Sequence, residues 1–260
     1  MNPHGIRAAF FDVDGTIVGF RTHEVSQATR ETLARLRENG IAPILATGRP
    51  HYQLDMIPLE LFDGVIAFNG QLCYLADGTV VREQHLGKSD VAAMVDACRE
   101  GLFQVMFQTS ETFFVSGRNE CLRTLEETID FIYPVDDPAR ALDETVFQVN
   151  LFAPPEMDRL VMERMPRLKC QRWFPTFADV MPVDGGKDVG VRVMLDHLGV
   201  DAAHAVCFGD GENDIPMLDV CGHAVVMGSA SDAVKAHATL VTEDVEHEGV
   251  TRACELLGLV

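Results

Sequence analysis

Positive charge is scarce in this sequence. Its 260 residues include 21 Lys and Arg against 40 Asp and Glu, so the formal net charge is −19 at pH 7. A surface of this sign repels the phosphates of nucleic acid, and no local basic patch offsets it. The composition therefore predicts no nucleic-acid partner. It does not exclude a small phosphorylated ligand, because a metal ion and a few cations can reverse the field inside one pocket.

Cysteine is present but follows no pattern. The seven Cys residues are scattered and odd in number, without a Cys-x-x-Cys pair or the Cys and His spacing of a zinc site. This usage is typical of small core residues in the reducing cytoplasm. The sequence also lacks a basic-then-apolar leader and any apolar run long enough to cross a bilayer. These features predict a cytoplasmic protein without a membrane partner.

The N-terminal part has the pattern of a parallel α/β fold. The predicted elements are strands at residues 6–11, 41–46 and 64–68 and helices at 27–39, after the N-cap residue Ser26, and at about 50–60. The first strand, helix and strand form a βαβ unit, so the two strands are parallel and end at the same edge of a sheet. Ligands bind at that edge in open α/β sheets.

The middle of the chain has a different order of predicted strands and helices. In residues 84–183 the predicted strands pair with their neighbours and helices intervene singly, which is an α+β pattern. Regular alternation of strands and helices returns after Lys187. We therefore predict an α/β protein with a Rossmann-like parallel-sheet core, residues 1–83 and 184–260, and an inserted α+β domain, residues 84–183.

Polar and charged residues follow the predicted strands. Asp12 and Asp14 end the first strand, and Thr47 follows the second. Two acids beside a buried strand are unfavourable unless they bind a cation or take part in chemistry, although an acidic turn is the structural alternative. A hydroxyl beside exposed backbone N–H groups suits a phosphate, although Thr-Gly turns are common. Lys187, one of only four lysines, follows Gly185-Gly186, and its ammonium could bind a phosphoryl oxygen.

A second acidic cluster follows the strand predicted at residues 204–208. It consists of Asp210, Asn213 and Asp214. One interpretation is a polar turn in which an Asp caps the next helix. The other is a magnesium site, because Mg²⁺ takes few carboxylates and completes its octahedron with water and substrate phosphate oxygens. The second interpretation predicts Mg²⁺ as the cofactor.

Four segments, in this order, resemble the motifs of the haloacid dehalogenase (HAD) phosphohydrolases. They are Asp12-Val13-Asp14-Gly15-Thr16, Ala46-Thr47-Gly48-Arg49, Lys187, and Gly209-Asp210-Gly211-Glu212-Asn213-Asp214-Ile215-Pro216-Met217. The insertion between the second and third is similar to the large α/β cap domain of the Cof-type subfamily. Asn69-Gly70 and Glu248-Gly249-Val250 resemble further Cof-type segments. The chain departs from many relatives at Asp188, an acid beside the lysine.

The resemblance implies a magnesium-dependent phosphatase that forms an aspartyl-phosphate. It implies that Asp12 is the nucleophile, and that Asp14 first protonates the leaving oxygen and then activates water. Thr47 and Lys187 would bind phosphoryl oxygens. The implied magnesium ligands are the carboxylates of Asp12 and Asp210, the backbone carbonyl of Asp14, and Asp214 in or near the coordination shell.

The resemblance also implies the residues around the substrate. Arg49 and Asn69 are expected to contact the leaving group, and Asn213 is expected to position Lys187 or the phosphate. The other loop residues expected at the substrate are Gly15, Gly48 and Gly70.

The expected substrate is a small phosphomonoester. A sugar phosphate, a nucleotide and a phosphorylated cofactor all fit, and the sequence does not choose among them. A sugar phosphomutase of the phosphomannomutase kind resembles the same motif set and also keeps an acid at the position of Asp14. A non-catalytic phosphate-sensing regulator on the same fold is the third alternative. The sequence does not predict the oligomeric state.

Overall fold

The chain folds into two compact units. The structure, a computed structural model, describes residues 2–260. The first unit comprises the described residues up to Glu83 together with Gly185–Val260, and the second comprises Gln84–Asp184. The second unit is therefore inserted into the sequence of the first.

The described residues contain strands, α-helices and short 3₁₀ turns. The strands are β1 (Ala8–Phe11), β2 (Ala42–Ala46), β3 (Gly64–Ala67), β4 (Leu72–Leu75), β5 (Val80–Glu83), β6 (Gln104–Thr109), β7 (Phe113–Val115), β8 (Val146–Phe152), β9 (Leu168–Phe174), β10 (Phe177–Pro182), β11 (Ala205–Gly209), β12 (His223–Val226) and β13 (Leu240–Val241). The helices are α1 (Gln27–Glu38), α2 (Lys88–Arg99), α3 (Glu120–Ile129), α4 (Glu156–Arg164), α5 (Lys187–Leu198), α6 (Ile215–Leu218), α7 (Asp232–Lys235) and α8 (Gly249–Leu256).

Each unit is built around one sheet. The first has an eight-stranded sheet in the order β13-β12-β11-β1-β2-β3-β4-β5. All of its strand pairs from β13 to β3 are parallel, and β4 and β5 add antiparallel pairs. The second has a five-stranded antiparallel sheet in the order β7-β6-β8-β10-β9. The predicted fold class, a parallel-sheet α/β core with an inserted α+β domain, is confirmed.

The βαβ unit forms as the sequence predicts. The Ser26 hydroxyl caps α1 by accepting a hydrogen bond from the Thr29 backbone N–H at 3.1 Å. Pro43 lies inside β2, although it has no N–H to donate. It is tolerated because the neighbouring N–H of Ala42 donates to the carbonyl of Arg7, just before β1, so the nitrogen of Pro43 faces β3. On that side, β2 pairs with β3 only from Ile44 onward, which lies opposite Gly64.

The helix predicted over about residues 50–60 is wrong. The segment forms two short 3₁₀ turns, His51–Gln53 and Leu59–Leu61. Pro58 lies between them, and a proline inside a helix removes one hydrogen bond and clashes with the preceding turn. The residue before a proline is also driven away from helical backbone angles, so a continuous helix cannot pass through Ile57.

The centre of the large sheet is fixed by aromatic packing. Phe11 and Phe208 are the last register partners of β1 and β11, and their rings stack with centroids 4.6 Å apart. Both side chains are fully buried. The backbone N–H of Asp12, the next residue after β1, donates to the Phe208 carbonyl at 3.0 Å, so the loop after β1 starts against β11.

The cysteines differ from the sequence-based expectation at one place. Cys207 and Cys221 form a disulfide with a Cα–Cα distance of 6.1 Å, whereas the sequence predicted only small core residues. A pattern of spacings does not reveal this pairing, because the sheet and α6 bring the two residues together. The other five cysteines are free thiols. In residues 2–260, no helix has the length and apolarity needed to cross a membrane.

Candidate active site

Four polar residues follow neighbouring strands at the same edge of the large sheet. Asp12 follows β1, Thr47 follows β2, Asn69 lies in a 3₁₀ turn after β3, and Asp210 follows β11. These strands are parallel and adjacent, so their carboxyl ends share one edge. The arrangement matches the position of ligand sites in open α/β sheets.

Lys187 is the cation at the centre of this edge. It is the first residue of α5, and only 1% of its surface is exposed. Its Nζ donates hydrogen bonds of 2.5 Å to Oδ1 of Asp12 and of 2.5 Å to Oδ1 of Asp214. Both acids are buried. The sequence predicted Lys187 and Asp12 in one site and expected Asn213 to position Lys187 or the phosphate; the hydrogen bonds that hold the ammonium come from Asp12 and Asp214.

Asp214 also organises the loop that carries Asp210. Its Oδ2 accepts hydrogen bonds from the backbone N–H groups of Asp210, at 3.0 Å, and Gly211, at 2.9 Å. With Oδ1 on Lys187, both oxygens of this fully buried carboxylate are hydrogen-bonded. The Asn213 side chain lies against Gly211. Asp214 therefore joins the loop after β11 to the start of α5.

Asp210 lies close to the loop after β1, at Gly15 and Thr16. Its Oδ1 accepts a hydrogen bond of 3.1 Å from the Thr16 hydroxyl. A Cβ added to Gly15 would overlap the Asp210 carboxylate, and Gly15 has a φ of +80°. Glycine is required there by both the close approach and the backbone angle. Gly15 thus shapes the site by leaving room for Asp210.

The pKa values of the buried acids Asp12 and Asp210 are raised. Burial, followed by the charge of Asp214, raises the pKa of Asp12 well above its usual range, although Lys187 acts in the opposite direction. Burial and Asp214 likewise raise the pKa of Asp210 to about 7. Burial lowers the pKa of the Lys187 ammonium, but Asp12 and Asp214 outweigh it and the net pKa is raised. The lysine remains charged, and three carboxyl groups lie around this one cation.

The acidic cluster fits a magnesium ion. One carboxylate oxygen from each of Asp12, Asp210 and Asp214 can be chosen so that all three lie within 4.8 Å of one another. Oxygen donors are the ligands that Mg²⁺ prefers, and a divalent cation would act against the burial and the Asp214 charge that raise the pKa values of Asp12 and Asp210. The expected contribution from the backbone carbonyl of Asp14 stays a prediction.

Asp14 is held by Arg49 rather than by the acidic cluster. Arg49 Nε donates to Asp14 Oδ2 at 2.9 Å, and Nη2 donates to Oδ1 at 2.5 Å. This two-point geometry fixes the plane of the carboxylate. The Asp14 side chain is 46% exposed. The sequence assigned Arg49 to the leaving group and did not predict its pairing with Asp14, because no local spacing links the two residues.

The Thr47 loop lies against the turn after β3. The Thr47 hydroxyl accepts from the Arg49 backbone N–H at 3.1 Å, and the Thr47 carbonyl accepts from the Asn69 N–H at 2.9 Å. The Asn69 side chain lies 3.1–3.2 Å from where a Cβ on Gly48 would be. Gly70 has a φ of +90°, and a Cβ there would overlap the Gly186 carbonyl. Four sequence-predicted loop residues, Gly48, Arg49, Asn69 and Gly70, are therefore packed around Thr47 and the entry to α5.

The raised pKa of Asp210 predicts a pH-dependent stability. Between pH 3.8, the ordinary value, and about 7, the folded protein retains a proton that the unfolded chain has lost. In this window the group lowers the free energy of unfolding as pH rises, by at most about 1.4 kcal/mol per pH unit. Without divalent cations, the stability of Asp210→Asn relative to the native protein should therefore rise from pH 4.5 to 7.

Urea unfolding at four pH values measures this difference. The matched control is Asp196→Asn, the same substitution on the exposed face of α5 and outside the acidic cluster. A pH-independent difference for Asp210→Asn would contradict the raised pKa.

Comparison with known proteins identifies the family. The model of the haloacid dehalogenase-like hydrolase family matches residues 9–254. The chain belongs to this family, so the enzyme class and the Cof-type resemblance predicted from the motifs are confirmed.

The chain is similar to solved and curated proteins over nearly its full length. BT1666 from Bacteroides thetaiotaomicron, a phosphatase of the HAD superfamily, has a TM-score of 0.94 and 33% identity, covering 99% of this chain and 97% of its own. The HAD subclass IIB sugar phosphatase BT4131 has a TM-score of 0.88 and 30% identity, covering 98% and 100%. The relative named "Putative phosphatase YkrA", from Bacillus subtilis (strain 168), is 29% identical over 96% of this chain and 97% of its own.

Proposed function

We propose that this enzyme is a magnesium-dependent phosphatase that hydrolyses a small phosphomonoester through an aspartyl-phosphate on Asp12. The observation that carries the proposal is the contact of Lys187 with Asp12 and Asp214 inside a three-carboxylate cluster. A phosphomonoester is an anion, and an attacking carboxylate needs nearby positive charge to approach it. The names of the similar phosphatases support the same reaction.

In the first chemical step, a carboxylate oxygen of Asp12 forms a bond to phosphorus while the bond from phosphorus to the leaving oxygen breaks. Lys187 holds Oδ1 of Asp12 and so fixes the direction of the nucleophile. The ammonium of Lys187 and the hydroxyl of Thr47 are assigned to the phosphoryl oxygens. A magnesium ion held by Asp12, Asp210 and Asp214, with the backbone carbonyl of Asp14, would supply Lewis-acid stabilisation of the same oxygens.

Asp14 is assigned to both proton transfers. Its protonated carboxyl group gives a proton to the leaving oxygen in the first step. The resulting carboxylate, which is the form that pairs with Arg49 through both oxygens, takes a proton from water in the second step. That water attacks phosphorus, the bond from phosphorus to Asp12 breaks, and inorganic phosphate is released. The bidentate pairing with Arg49 fixes the orientation of this carboxylate. Its partial exposure allows water and a leaving group to reach it.

The remaining assignments follow from position. We propose that Asn69, Arg49 and Asn213 contact the substrate, with Gly15, Gly48 and Gly70 leaving room for it. We assign catalysis to residues 1–83 and 184–260 and leaving-group selection to the inserted residues 84–183. We further propose that the enzyme acts in the cytoplasm.

Removal of metal is expected to abolish activity. Without a cation, the acidic cluster repels the phosphate, so EDTA should lower phosphate release from a panel of sugar phosphates, nucleotides and pyridoxal phosphate to background. Added Mg²⁺ should restore it. Colorimetric phosphate release before and after dialysis measures both effects, with calcium as the matched ion of different size. Full activity in EDTA would contradict the proposed metal site.

The same panel distinguishes hydrolysis from transfer of the phosphoryl group between two hydroxyl groups of one sugar. A hexose 1-phosphate that yields free phosphate supports the phosphatase. Accumulation of the 6-phosphate without free phosphate would identify a mutase instead.

A further inference from the structure

The turn after β3 has left-handed backbone at three consecutive residues. The φ angles are +50° at Phe68, +52° at Asn69 and +90° at Gly70. Of the five non-glycine residues with positive φ in residues 2–260, only Phe68 and Asn69 are buried. Asn tolerates this backbone, but a bulky residue such as Phe rarely adopts it. Buried left-handed residues of this kind persist where the surrounding structure holds them, and they are concentrated at functional sites.

Aromatic packing holds Phe68 in this conformation. Its side chain is fully buried, and its ring lies against the rings of His51 and Tyr52, with centroids 5.8 Å and 6.2 Å away. The ring cannot leave this position without opening a cavity, which is unfavourable in a packed core. The packing of Phe68 therefore maintains backbone angles that the residue itself disfavours.

The left-handed backbone directs two consecutive N–H groups at the Thr47 loop, residues 47–49. The N–H of Phe68 donates to the Arg49 carbonyl at 3.0 Å, and the N–H of Asn69 donates to the Thr47 carbonyl at 2.9 Å. Neighbouring N–H groups of an extended strand point in opposite directions. Both can reach one loop only because the chain leaves the extended conformation at Phe68. The turn thus fixes the backbone on both sides of Gly48.

The same turn lies against the entry to α5. A Cβ added to Gly70 would overlap the carbonyl of Gly186, and a Cβ added to Gly190 would lie 3.2 Å from the Cα of Gly70. Gly186 directly precedes Lys187, the first residue of α5. The turn therefore lies between the two segments that carry Thr47 and Lys187.

We propose that the left-handed turn Phe68–Gly70 is a positioning element for oxyanion binding, which holds the Thr47 loop and the entry to α5 at the separation that a phosphoryl group requires. This inference rests on the proposed function, because that function assigns Thr47 and Lys187 to the phosphoryl oxygens. It assigns the effect to the backbone of the turn and not to the side chain of Asn69.

The test compares Asn69→Gly with Asn69→Ala. Both variants remove the side-chain amide, so the difference between them reports on the backbone alone. Glycine adopts positive φ freely, whereas alanine disfavours it and lowers the fraction of molecules with the Thr47 loop in place. Calorimetric titration of inorganic phosphate in the presence of Mg²⁺ should give a Kd about tenfold weaker for Asn69→Ala than for Asn69→Gly.

The chain provides a matched control at Asp130. This exposed residue ends α3 in the inserted unit, with φ of 52° and ψ of 45°, against 52° and 41° at Asn69. Asp130→Gly and Asp130→Ala therefore make the same backbone comparison away from the Thr47 loop. The alanine variant should be the less stable of the two in urea unfolding, and both should bind phosphate with the native Kd.

A purely structural turn predicts other results. If Asn69→Ala is less stable than Asn69→Gly but binds phosphate equally well, the proposal is overturned. The acids of the proposed metal site do not contact the turn, so the Kd for Mg²⁺ should differ less than twofold between the two variants. Equal losses of Mg²⁺ and phosphate affinity would indicate general disorder and would also overturn it.

Gly70→Ala tests the other side of the turn. The added Cβ displaces the Gly186 carbonyl just before Lys187, so this variant should also weaken phosphate binding by about tenfold or more. Native phosphate affinity in a folded Gly70→Ala protein would overturn the inference. If the variant does not fold, the Asn69 pair decides the question.

The binding measurements separate this inference from the proposed function. If the native enzyme releases no phosphate from any substrate with Mg²⁺, the phosphatase proposal fails, and the titrations with inorganic phosphate still test the turn. If the enzyme releases phosphate and the Asn69 variants bind it equally, only the inference fails. The absence of phosphate binding to the native protein overturns the inference as well.

Discussion

Asp12→Asn is expected to slow phosphate release by about 10⁴-fold or more, the scale found when a covalent nucleophile is removed. An amide oxygen is a poor nucleophile and cannot form the aspartyl-phosphate. Its shape matches the carboxylate, so substrate can still enter. Initial rates with saturating Mg²⁺ and the best substrate of the panel measure the effect.

The fold of this variant should survive. Asp12 is one of several crowded acids, and burial and Asp214 already disfavour its charge. Lys187 keeps its hydrogen bond to Asp214 when the Asp12 charge is removed. The thermal midpoint should therefore stay within a few degrees of the native value. Asp196→Asn provides the matched control with native activity. A residual rate within tenfold of the native rate would contradict the assignment of Asp12 as the nucleophile.

Lys187→Met is expected to abolish activity and also to destabilise the fold by about 3–5 kcal/mol, as when one partner of a buried ion pair is removed. Methionine fills a similar volume, so the loss arises from charge rather than from a cavity. Asp12 and Asp214 would then face each other without their shared cation. Urea unfolding at pH 8 in EDTA measures the free energy of unfolding.

Conditions that lower the negative charge should reduce this deficit. At pH 5 the pKa of Asp210, raised to about 7 by burial and Asp214, favours its neutral form, and Mg²⁺ at pH 8 would supply the missing positive charge. The deficit should shrink in both cases. Lys88→Met, at an exposed helix start, is the matched control and should change stability by less than about 0.5 kcal/mol. A deficit that is the same in all three conditions would contradict the charge argument.

The sequence predicted the positions that depend on local pattern and parallel topology. Asp12, Thr47 and Asp210 follow strands, and parallel neighbours necessarily end at one edge, so their convergence needed no knowledge of side-chain contacts. The cap of α1 was equally predictable, because Ser26 acts on a backbone N–H three residues away.

The sequence could not predict features that arise from packing between distant segments. Arg49 and Asp14 are 35 residues apart, and their pairing depends on the loop geometries after β1 and β2. The contact of Asp214 with Lys187 depends on the approach of α5 to the loop after β11. The sequence placed Phe68 in the third strand, and only packing holds its backbone in the left-handed region. The only sequence feature that pointed to the entry to α5 was the pair Gly185-Gly186 before Lys187.

The position of β1 has a consequence for synthesis of the protein. β1 is central in its sheet, but β11, one of its two neighbours, is encoded far downstream, and 175 residues separate Lys187 from Asp12. A ribosome-bound chain that has just completed the inserted unit contains β1 and β2 but neither Lys187 nor Asp210. One edge of β1 is unpaired throughout that interval, and an unpaired edge is a site of aggregation. The proposed site is therefore completed late in translation, only after residues 187–214 have emerged.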